Sequence, residues 1–236
     1  MLTAKIRRVE KSSNGFVSQV PRDFVVRDAG GLGKLEPSKA YPRGSVLFAE
    51  GQQPLGVYRL CEGRAKVSIG SADGKTLVLR IASPGELLGV DAVLSGEPYD
   101  ATVETLGNCR VDFISRADLW KLLNKDKKAC LGVAHSLGHT LSRVVEHSRL
   151  LLLSQSAAEK LARLLIRWCD EHGERTPHGI QIKSGLTHEE LAEMICASRE
   201  TVTRVLGELK RKHIISLLGN AIYIRNRKAL ELVARC

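Results

Sequence analysis

Residues 186–212, LTHEELAEMICASRETVTRVLGELKRK, constrain the fold most and predict two short helices joined by a tight turn. The first helix begins at Thr187, whose hydroxyl can accept a hydrogen bond from the backbone N–H of Glu190 while the Glu190 carboxylate reaches back, a capping box. Apolar residues then recur every three or four positions until Cys196 interrupts them. Ser198 is a good N-cap for a second helix. The segment therefore predicts a helix-turn-helix unit.

The exposed side of the second helix is predicted to read DNA. On its first two turns, opposite an apolar stripe, lie four polar residues, Arg199, Glu200, Thr203 and Arg204. An arginine can donate two hydrogen bonds to guanine and a glutamate can accept one from cytosine, each good pair giving roughly 1 to 3 kcal/mol of discrimination. Glu200 and Arg204, four residues apart, can also pair with each other. A solvated amphipathic helix would explain the charges, but not the series of cap, turn and cap around them.

Basic residues and a hairpin follow the second helix. Lys210, Arg211 and Lys212 end it with positive charge, which suits both the helix dipole and DNA phosphates. Residues 214–226, IISLLGNAIYIRN, alternate apolar residues about a Gly-Asn turn and predict the wing of a winged helix-turn-helix. The residues predicted to contact DNA are Thr187, Ser198, Arg199, Glu200, Thr201, Thr203, Arg204, Lys210 and Lys212.

The overall charge favours a polyanionic partner but is weak evidence by itself. The 236 residues carry a formal net charge of +10, spread along the chain, and a hydrophobic fraction of 43%, typical of an ordinary globular protein. No apolar run approaches the length of a membrane span, and MLTAKIRRVEK at the N-terminus lacks the apolar core of a secretion signal. We therefore expect no membrane association and a cytoplasmic location.

Six widely spaced cysteines argue against a disulfide framework, because the expected compartment is reducing. No CxxC pair occurs, so a thiolate metal site has no local pair of ligands. We expect most of the thiols to be small buried apolar groups. Cys196, in the turn between the two helices, is a candidate redox thiol, since its oxidation could disturb docking on DNA.

Short apolar stretches separated by turns dominate residues 20–115 and predict an antiparallel β-roll or barrel. The turns carry Gly44, Gly51, Gly63, Gly74 and Gly85. One turn, leading into a short helix, could present backbone N–H groups to an anion, or it could be a purely structural corner. This candidate effector-binding turn consists of Gly85, Glu86, Leu87, Leu88 and Gly89.

A long helix is predicted from about residue 125 to residue 153. Apolar and small residues recur there at alternating spacings of four and three, a heptad seam through which two copies of the helix can pair. The seam consists of Cys130, Ala134, Leu137, Leu141, Val144, Ser148 and Leu151. Arg143, Glu146 and Arg149 lie off the seam and are predicted to face solvent. A homodimer would present two reading helices to two symmetry-related half-sites.

From about Tyr41 to the C-terminus, the chain resembles the Crp/Fnr transcription regulators. YPRGSVLFAEGQQPLGVYRLCEGRAKVS is similar to the start of the family's β-roll, LLLLSQSAAEKLARLL to its passage into the DNA-binding domain, and ASRETVTRVLGELKRKHII to its recognition helix. By this resemblance, Arg199, Glu200 and Arg204 stand where the cyclic-AMP receptor branch places its base-reading side chains, which implies TGTGA-like half-sites. Thr203 replaces that branch's glycine and is closer to the serine of the Fnr branch, so the outer bases stay open.

The sensor half is closer to the Fnr branch. Where the cyclic-AMP receptor branch has a glutamate for the ribose and an Arg-Ser pair for the phosphate, this chain has Val90 and then Asp100-Ala101. An aspartate beside a cyclic phosphate brings two negative charges together, so cyclic AMP is not expected to bind. Cys109 falls at the internal cluster ligand of the Fnr branch, but the N-terminal cysteine cluster is missing, and one thiolate cannot hold an iron-sulfur cluster.

Other cofactors and an enzymatic activity find little support in the sequence. His135 and His139, one helical turn apart, could bind haem or a metal ion, but no third ligand is placed, and we favour polar histidines on the helix surface. We therefore identify no cofactor and no metal site. No nucleophile elbow, phosphate loop or HExxH helix occurs, so an enzyme is not expected.

The sequence thus predicts an α+β protein with an N-terminal antiparallel β-roll of the cyclic-nucleotide-binding jelly-roll type, a long dimerisation helix and a C-terminal winged helix-turn-helix. The expected domains are a basic tail at 1–19, a sensor at 20–124, a dimerisation helix and hinge at 125–154, and a DNA-binding domain at 155–236. The expected function is a homodimeric regulator that reads an inverted repeat in double-stranded DNA, with RNA polymerase as a partner if it activates transcription. The alternatives are a cyclic-nucleotide-binding module that controls a partner protein and, with less support, an enzyme with a regulatory β-roll.

Overall fold

Two antiparallel sheets that pack face to face form the N-terminal half. A computed structural model describes residues 38–219 and 221–235. The strands are β1 (Lys39–Tyr41), β2 (Val46–Phe48), β3 (Gly56–Glu62), β4 (Ala65–Gly70), β5 (Thr76–Ala82), β6 (Leu87–Leu88), β7 (Thr102–Thr105) and β8 (Cys109–Ser115). Their orders are β1-β8-β3-β6 and β2-β7-β4-β5, and side chains from both sheets, such as Leu60 and Val103, meet in one buried cluster. This arrangement confirms the predicted β-roll; the predicted tail at 1–19 and the sensor residues up to 37 lie outside the described residues.

The turns of the roll follow the glycine pattern. Positive φ angles occur at all five glycines predicted to occupy turns, Gly44, Gly51, Gly63, Gly74 and Gly85. A short helix, α1 (Val90–Ser95), begins after Gly89. Gly89 has a φ of +76°, and a Cβ there would lie 2.5 Å from the ring of Tyr99, so the chain can turn into α1 only with glycine at this position.

Two helices follow the roll, where the sequence predicted one. The first, α2 (Arg116–Lys125), starts at Ser115, whose hydroxyl accepts from the N–H of Asp118. Asp126 separates it from α3 (Lys127–Leu153) and caps α3 by accepting from the N–H of Lys128. A stripe of α3 that includes Val133 and Leu150 is buried against its own chain.

The C-terminal half combines helices with a four-stranded sheet. Its elements are α4 (Ala157–His172), β9 (Glu174–Thr176), β10 (Gly179–Ile182), α5 (His188–Ile195), α6 (Arg199–Arg211), β11 (Ile215–Leu218), β12 (Ala221–Ile224) and α7 (Arg227–Val233). The sheet order is β11-β12-β10-β9, and Ile215 pairs with Ile224 across the predicted wing hairpin. The β9-β10 hairpin, which extends the wing sheet, is not predicted by the sequence pattern; Asn220 of the wing turn lies outside the described residues.

The two halves share one hydrophobic core. Val78 and Ile81 of β5 are buried in the same cluster as Leu191 and Met194 of α5. The C-terminal half therefore packs directly on the roll, in addition to its covalent connection at residues 154–156. Among the described helices, none is both long enough and apolar enough to cross a membrane.

Candidate nucleic-acid interface

Local hydrogen bonds fix both helix starts of the helix-turn-helix, as predicted. Thr187 Oγ1 accepts from the N–H of Glu190 at 3.1 Å, and Glu190 Oε2 accepts from the N–H of Thr187 at 2.6 Å. Ser198 Oγ accepts from the N–H of Thr201 at 3.2 Å. Between the helices, Cys196 has a φ of +52°, in the left-handed region. These contacts confirm the capping box, the turn and the second cap.

The exposed row on α6 is present where the sequence placed it. The helix buries Val202, Val205, Leu206 and Leu209. It exposes Arg199, Glu200, Thr203 and Arg204, which we call the reading row. Hydrogen bonds from its own backbone N–H and from Ser198 lower the pKa of Glu200, so its carboxylate is ionised at neutral pH and can accept from a base.

Arg204 pairs with Glu208, which corrects the predicted pairing with Glu200. Its Nη1 atom lies 3.3 Å from Glu208 Oε1, and 67% of the Arg204 side chain is exposed. Glu200 does not pair with Arg204 because its carboxylate accepts hydrogen bonds at the start of α6, from its own backbone N–H and from Ser198. An exposed i,i+4 ion pair contributes about 0.3 to 0.5 kcal/mol. Arg204 can therefore exchange Glu208 for a base at little cost.

Thr203 connects the two helices at the surface of the reading row. Its hydroxyl donates to the carbonyl oxygen of Arg199 at 2.9 Å, and its Oγ1 atom also lies 2.9 Å from Nδ1 of His188 on α5. Sequence reasoning missed His188, because the contact depends on how α5 and α6 cross and no periodicity within either helix reports it.

Basic side chains continue beyond the reading row. Lys210, Arg211 and Lys212 are exposed, as their predicted role in phosphate binding requires. Beside them, a cleft of about 410 Å³ lies between α6 and the wing sheet. It is lined by Lys210, His213, Ile215, Ser216 and Arg225. Positively charged side chains therefore extend from the end of α6, at Lys210 to Lys212, to Arg225 beside the wing.

The candidate effector-binding turn is held by the chain's own groups. We call residues 85–101 the cassette. The carboxylate of Glu86 pairs with Arg80 of β5 and, at 3.0 Å, with Arg143 of α3. The N–H groups of Gly85 and Glu86 donate to the carbonyl oxygens of Leu60 and Ser83. Leu87 and Leu88 are buried in strand β6. The backbone donors proposed for an anion at Gly85 and Glu86 are thus already used inside the roll.

Arg143 corrects a second prediction, since it does not face solvent. Its guanidinium binds Glu86 and also donates to the carbonyl oxygen of Ile81 at 3.1 Å, and only 18% of its side chain is exposed. Glu146 and Arg149 are exposed as predicted. An ion pair therefore ties α3 to the cassette.

The far end of the cassette is acidic. Burial and the adjoining Asp91 carboxylate raise the pKa of Asp100, while Arg80 opposes this effect. Ala101 and Val90 are buried, with 4% and 3% exposure. Asp100, Ala101 and Val90 occupy the positions that, by resemblance, would contact the phosphate and ribose of a cyclic nucleotide. None of the three offers a positive charge to a phosphate.

The heptad seam of α3 is only partly covered by its own chain. Leu141 is 65% exposed, and Val145 and Leu152 beside the seam are 42% and 82% exposed. Leu137 and Leu151 pack partly against the chain's own cores. The four remaining seam residues are exposed or half-buried: Cys130, Ala134, Val144 and Ser148. The helix thus keeps an uncovered apolar stripe, and the predicted dimer interface remains a prediction.

The cysteines and histidines of the described residues differ in exposure. Cys109 and Cys169 are buried, whereas Cys130 and Cys196 are exposed, so the prediction of mostly buried thiols holds only in part. His135 and His139 are exposed on α3. Within residues 38–219 and 221–235, no group of three or more His, Cys, Asp or Glu side chains is placed to hold a metal ion.

His147 is a further residue that the sequence did not single out. It is 2% exposed on α3 and lies against β5, α4 and α5, with no hydrogen-bond partner for either ring nitrogen among the described residues. Burial and the charge of Arg167 lower its pKa to about 4. The backbones of Val78 and Met194 adjoin the ring outside hydrogen-bond geometry. A neutral imidazole therefore fills the junction between the roll and the C-terminal half.

Two family models match the chain. The Crp-like helix-turn-helix domain matches residues 159–233, and the cyclic nucleotide-binding domain matches residues 38–126. The first match contains α5, α6 and the reading row, and the second contains the roll and the cassette. Together they cover both halves of the described structure.

Individual relatives agree with these matches. The transcriptional regulator LdrP of Thermus thermophilus is 28% identical over 197 residues, which are 82% of this chain and 94% of that protein. The CRP-like cAMP-activated global transcriptional regulator of Mycobacterium tuberculosis is 24% identical over 224 residues, 90% of this chain and 100% of that protein. The crystal structure of a CRP-family transcriptional regulator from Thermus thermophilus is similar with a TM-score of 0.70 and 27% identity, over 84% of this chain and 97% of that one.

Proposed function

The chain belongs to the Crp/Fnr family of DNA-binding transcription regulators, and from that premise we propose that two copies of it together read an inverted repeat of TGTGA-like half-sites. The observation that carries the proposal is the reading row. Its arginines and glutamate project from the first two turns of α6, which is the part of a recognition helix that enters the major groove.

Each group in the proposed interface has a distinct task. Arg199 and Arg204 donate to guanine O6 and N7, and Glu200 accepts from a cytosine amino group. Phosphates are contacted by Lys210 and Lys212, and by the hydroxyls of Thr187, Ser198 and Thr201 at the helix starts. The phosphate contacts set affinity and its salt dependence, while the reading row sets the sequence.

The dimer would form through the uncovered stripe of α3. Pairing of two such helices buries Leu141 and the apolar residues around it, and it places the two reading rows about one helical turn of DNA apart, roughly 34 to 36 Å. A signal received by the roll would change this spacing through the connection near Ser154 and Gln155. Such a regulator acts in the cytoplasm, and it would contact RNA polymerase if it activates transcription.

The reading row is tested by selecting a preferred duplex from a random pool with the wild-type protein and measuring affinity by fluorescence anisotropy. Arg204→Ala should lower affinity for the selected duplex by roughly 10-fold to 100-fold for each half-site, since one bidentate contact per half-site is lost. Affinity for random DNA should change little. Glu208→Ala, which removes only the exposed partner of Arg204, is the matched control and should retain specificity. An equal loss on selected and random DNA after Arg204→Ala would contradict the role of the reading row.

The dimer is tested by placing a charge in the stripe. Leu141→Glu should shift the protein from dimer to monomer in sedimentation velocity, because a buried unpaired carboxylate opposes pairing. Leu55→Glu is the control, since Leu55 is equally exposed, 67% against 65%, but lies on the roll. If both variants sediment like the wild type, the stripe is not the dimer interface.

A further inference from the structure

The side chain of Thr203 is held in one orientation by two contacts. A threonine in a helix usually divides between two χ1 rotamers, because its hydroxyl can bond to a carbonyl of the preceding turn in one of them. Here the hydroxyl makes that bond to Arg199, and its oxygen also meets His188 Nδ1. The second contact comes from the other helix and favours the same rotamer.

The protons of this arrangement can be assigned. A hydroxyl has one hydrogen, and the carbonyl oxygen of Arg199 can only accept it. Both contacts are therefore satisfied when Nδ1 of His188 donates to Thr203 Oγ1. The only hydrogen of the Thr203 hydroxyl is then engaged within the protein, so this exposed side chain offers DNA no hydrogen-bond donor, and its methyl group is free to contact a base.

A methyl group at this place has one natural partner among the bases. Thymine alone presents a methyl group in the major groove, and a threonine methyl packs against it. Thr203 lies one helical turn after Arg199, about 6 Å along α6, which corresponds to roughly two base-pair steps. We propose that Thr203 reads the 5-methyl group of a thymine within about two base pairs of the guanine bound by Arg199, and that His188 is the positioning residue that holds it there.

This inference deepens the proposed function and rests on it. The test starts from the duplex that the wild-type protein selects, and replaces each thymine of both half-sites in turn by deoxyuridine, which lacks only the methyl group. At one thymine per half-site, deoxyuridine should lower affinity by about fourfold per half-site, the factor expected for one methyl group removed from water. Other thymines should show smaller changes.

Two substitutions at Thr203 separate its methyl group from its hydroxyl. Thr203→Ser keeps the hydroxyl and both of its contacts, so it should bind the thymine and deoxyuridine duplexes equally at that position. Thr203→Val keeps a methyl group and should retain a preference for thymine. Because Thr203 is exposed, both variants should unfold at the wild-type urea midpoint.

The role of His188 is tested in the same assay. His188→Ala should weaken the response to deoxyuridine at that one thymine, because Thr203 regains its second rotamer. Glu189→Ala, on the same turn of α5, is the control and should keep the full response. The inference would be overturned, with the proposed function intact, if Thr203→Ser still lost affinity when deoxyuridine replaced that thymine. It would also be overturned if the wild-type protein bound its selected duplex specifically but lost affinity at no deoxyuridine position. If the pool yields no preferred sequence, the proposed function fails and the inference fails with it.

Discussion

The reading row and the cassette use the same residue types in opposite ways. In the reading row, Arg204 is 67% exposed and has one exposed partner, Glu208. In the cassette, Glu86 is 18% exposed and is bound by two arginines, of which Arg80 is 8% exposed. An exposed arginine can exchange its partner for a ligand, whereas separating a buried pair leaves an uncompensated charge. Burial thus leaves the charges of the reading row available for the proposed contacts with DNA and commits those of the cassette to contacts within the chain itself.

The largest effect should come from breaking the buried cluster of the cassette. Glu86→Gln keeps the shape of the side chain but leaves Arg80 and Arg143 beside a neutral amide. We expect the free energy of unfolding in urea at pH 7 to fall by about 3 kcal/mol, the lower end for a buried pair that loses one partner.

The matched control is an ion pair at the surface of the same roll. Glu62 pairs with Arg110, and their side chains are 62% and 54% exposed. Glu62→Gln should therefore change the free energy of unfolding by less than about 1 kcal/mol. If Glu86→Gln and Glu62→Gln lowered the free energy of unfolding equally, burial would not distinguish the ion pairs of the cassette from exposed pairs such as that of the reading row.

The sequence predicts the reading row better than the cassette because the row depends on local signals. Thr187, Glu190 and Ser198 cap helices through residues three positions away, so their spacing alone reports the contacts. The register of the wing hairpin follows in the same way from its turn.

Contacts between distant residues are where sequence reasoning fails. The heptad pattern assigns Arg143 to solvent, but Arg143 donates a hydrogen bond to Glu86, which lies 57 positions earlier in the sequence. Likewise, spacing allows Arg204 to pair with either Glu200 or Glu208, and the hydrogen bonds of the helix start decide between them. A pattern within one helix carries no information about the element that will cover it.

A smaller, pH-dependent effect should arise at the junction between the two regions. His147 has a pKa of about 4 in the folded chain, against about 6.5 when unfolded. Between these values the unfolded state binds a proton that the folded state does not, so stability is complete above pH 6.5 and is lost as the pH falls towards 4. We expect this group to cost about 2 kcal/mol of unfolding free energy between pH 7 and pH 5.

His147→Leu isolates this contribution, because other titrating groups remain in both proteins. Its unfolding free energy in urea should depend less on pH than that of the wild type over pH 7 to 5. His178→Leu, at an exposed histidine of the wing sheet, should keep the wild-type dependence. Parallel pH profiles for wild type and His147→Leu would show that the junction tolerates a charged imidazole.

The smallest expected effect is that of cyclic AMP, which should change neither the melting temperature nor the affinity for DNA. To bind the cassette, its phosphate would have to displace Glu86 from Arg80 and then lie beside Asp100, whose pKa is already raised by burial and by the adjoining Asp91 carboxylate. Val90 would offer the ribose no hydrogen bond. The Mycobacterium tuberculosis relative, whose name describes it as cAMP-activated, is the positive control under the same conditions. A saturable rise in melting temperature at micromolar cyclic AMP would mean that a ligand can compete with Glu86 for Arg80 and Arg143. The contrast between the charges of the cassette, paired within the chain, and the exposed charges of the reading row would then no longer hold.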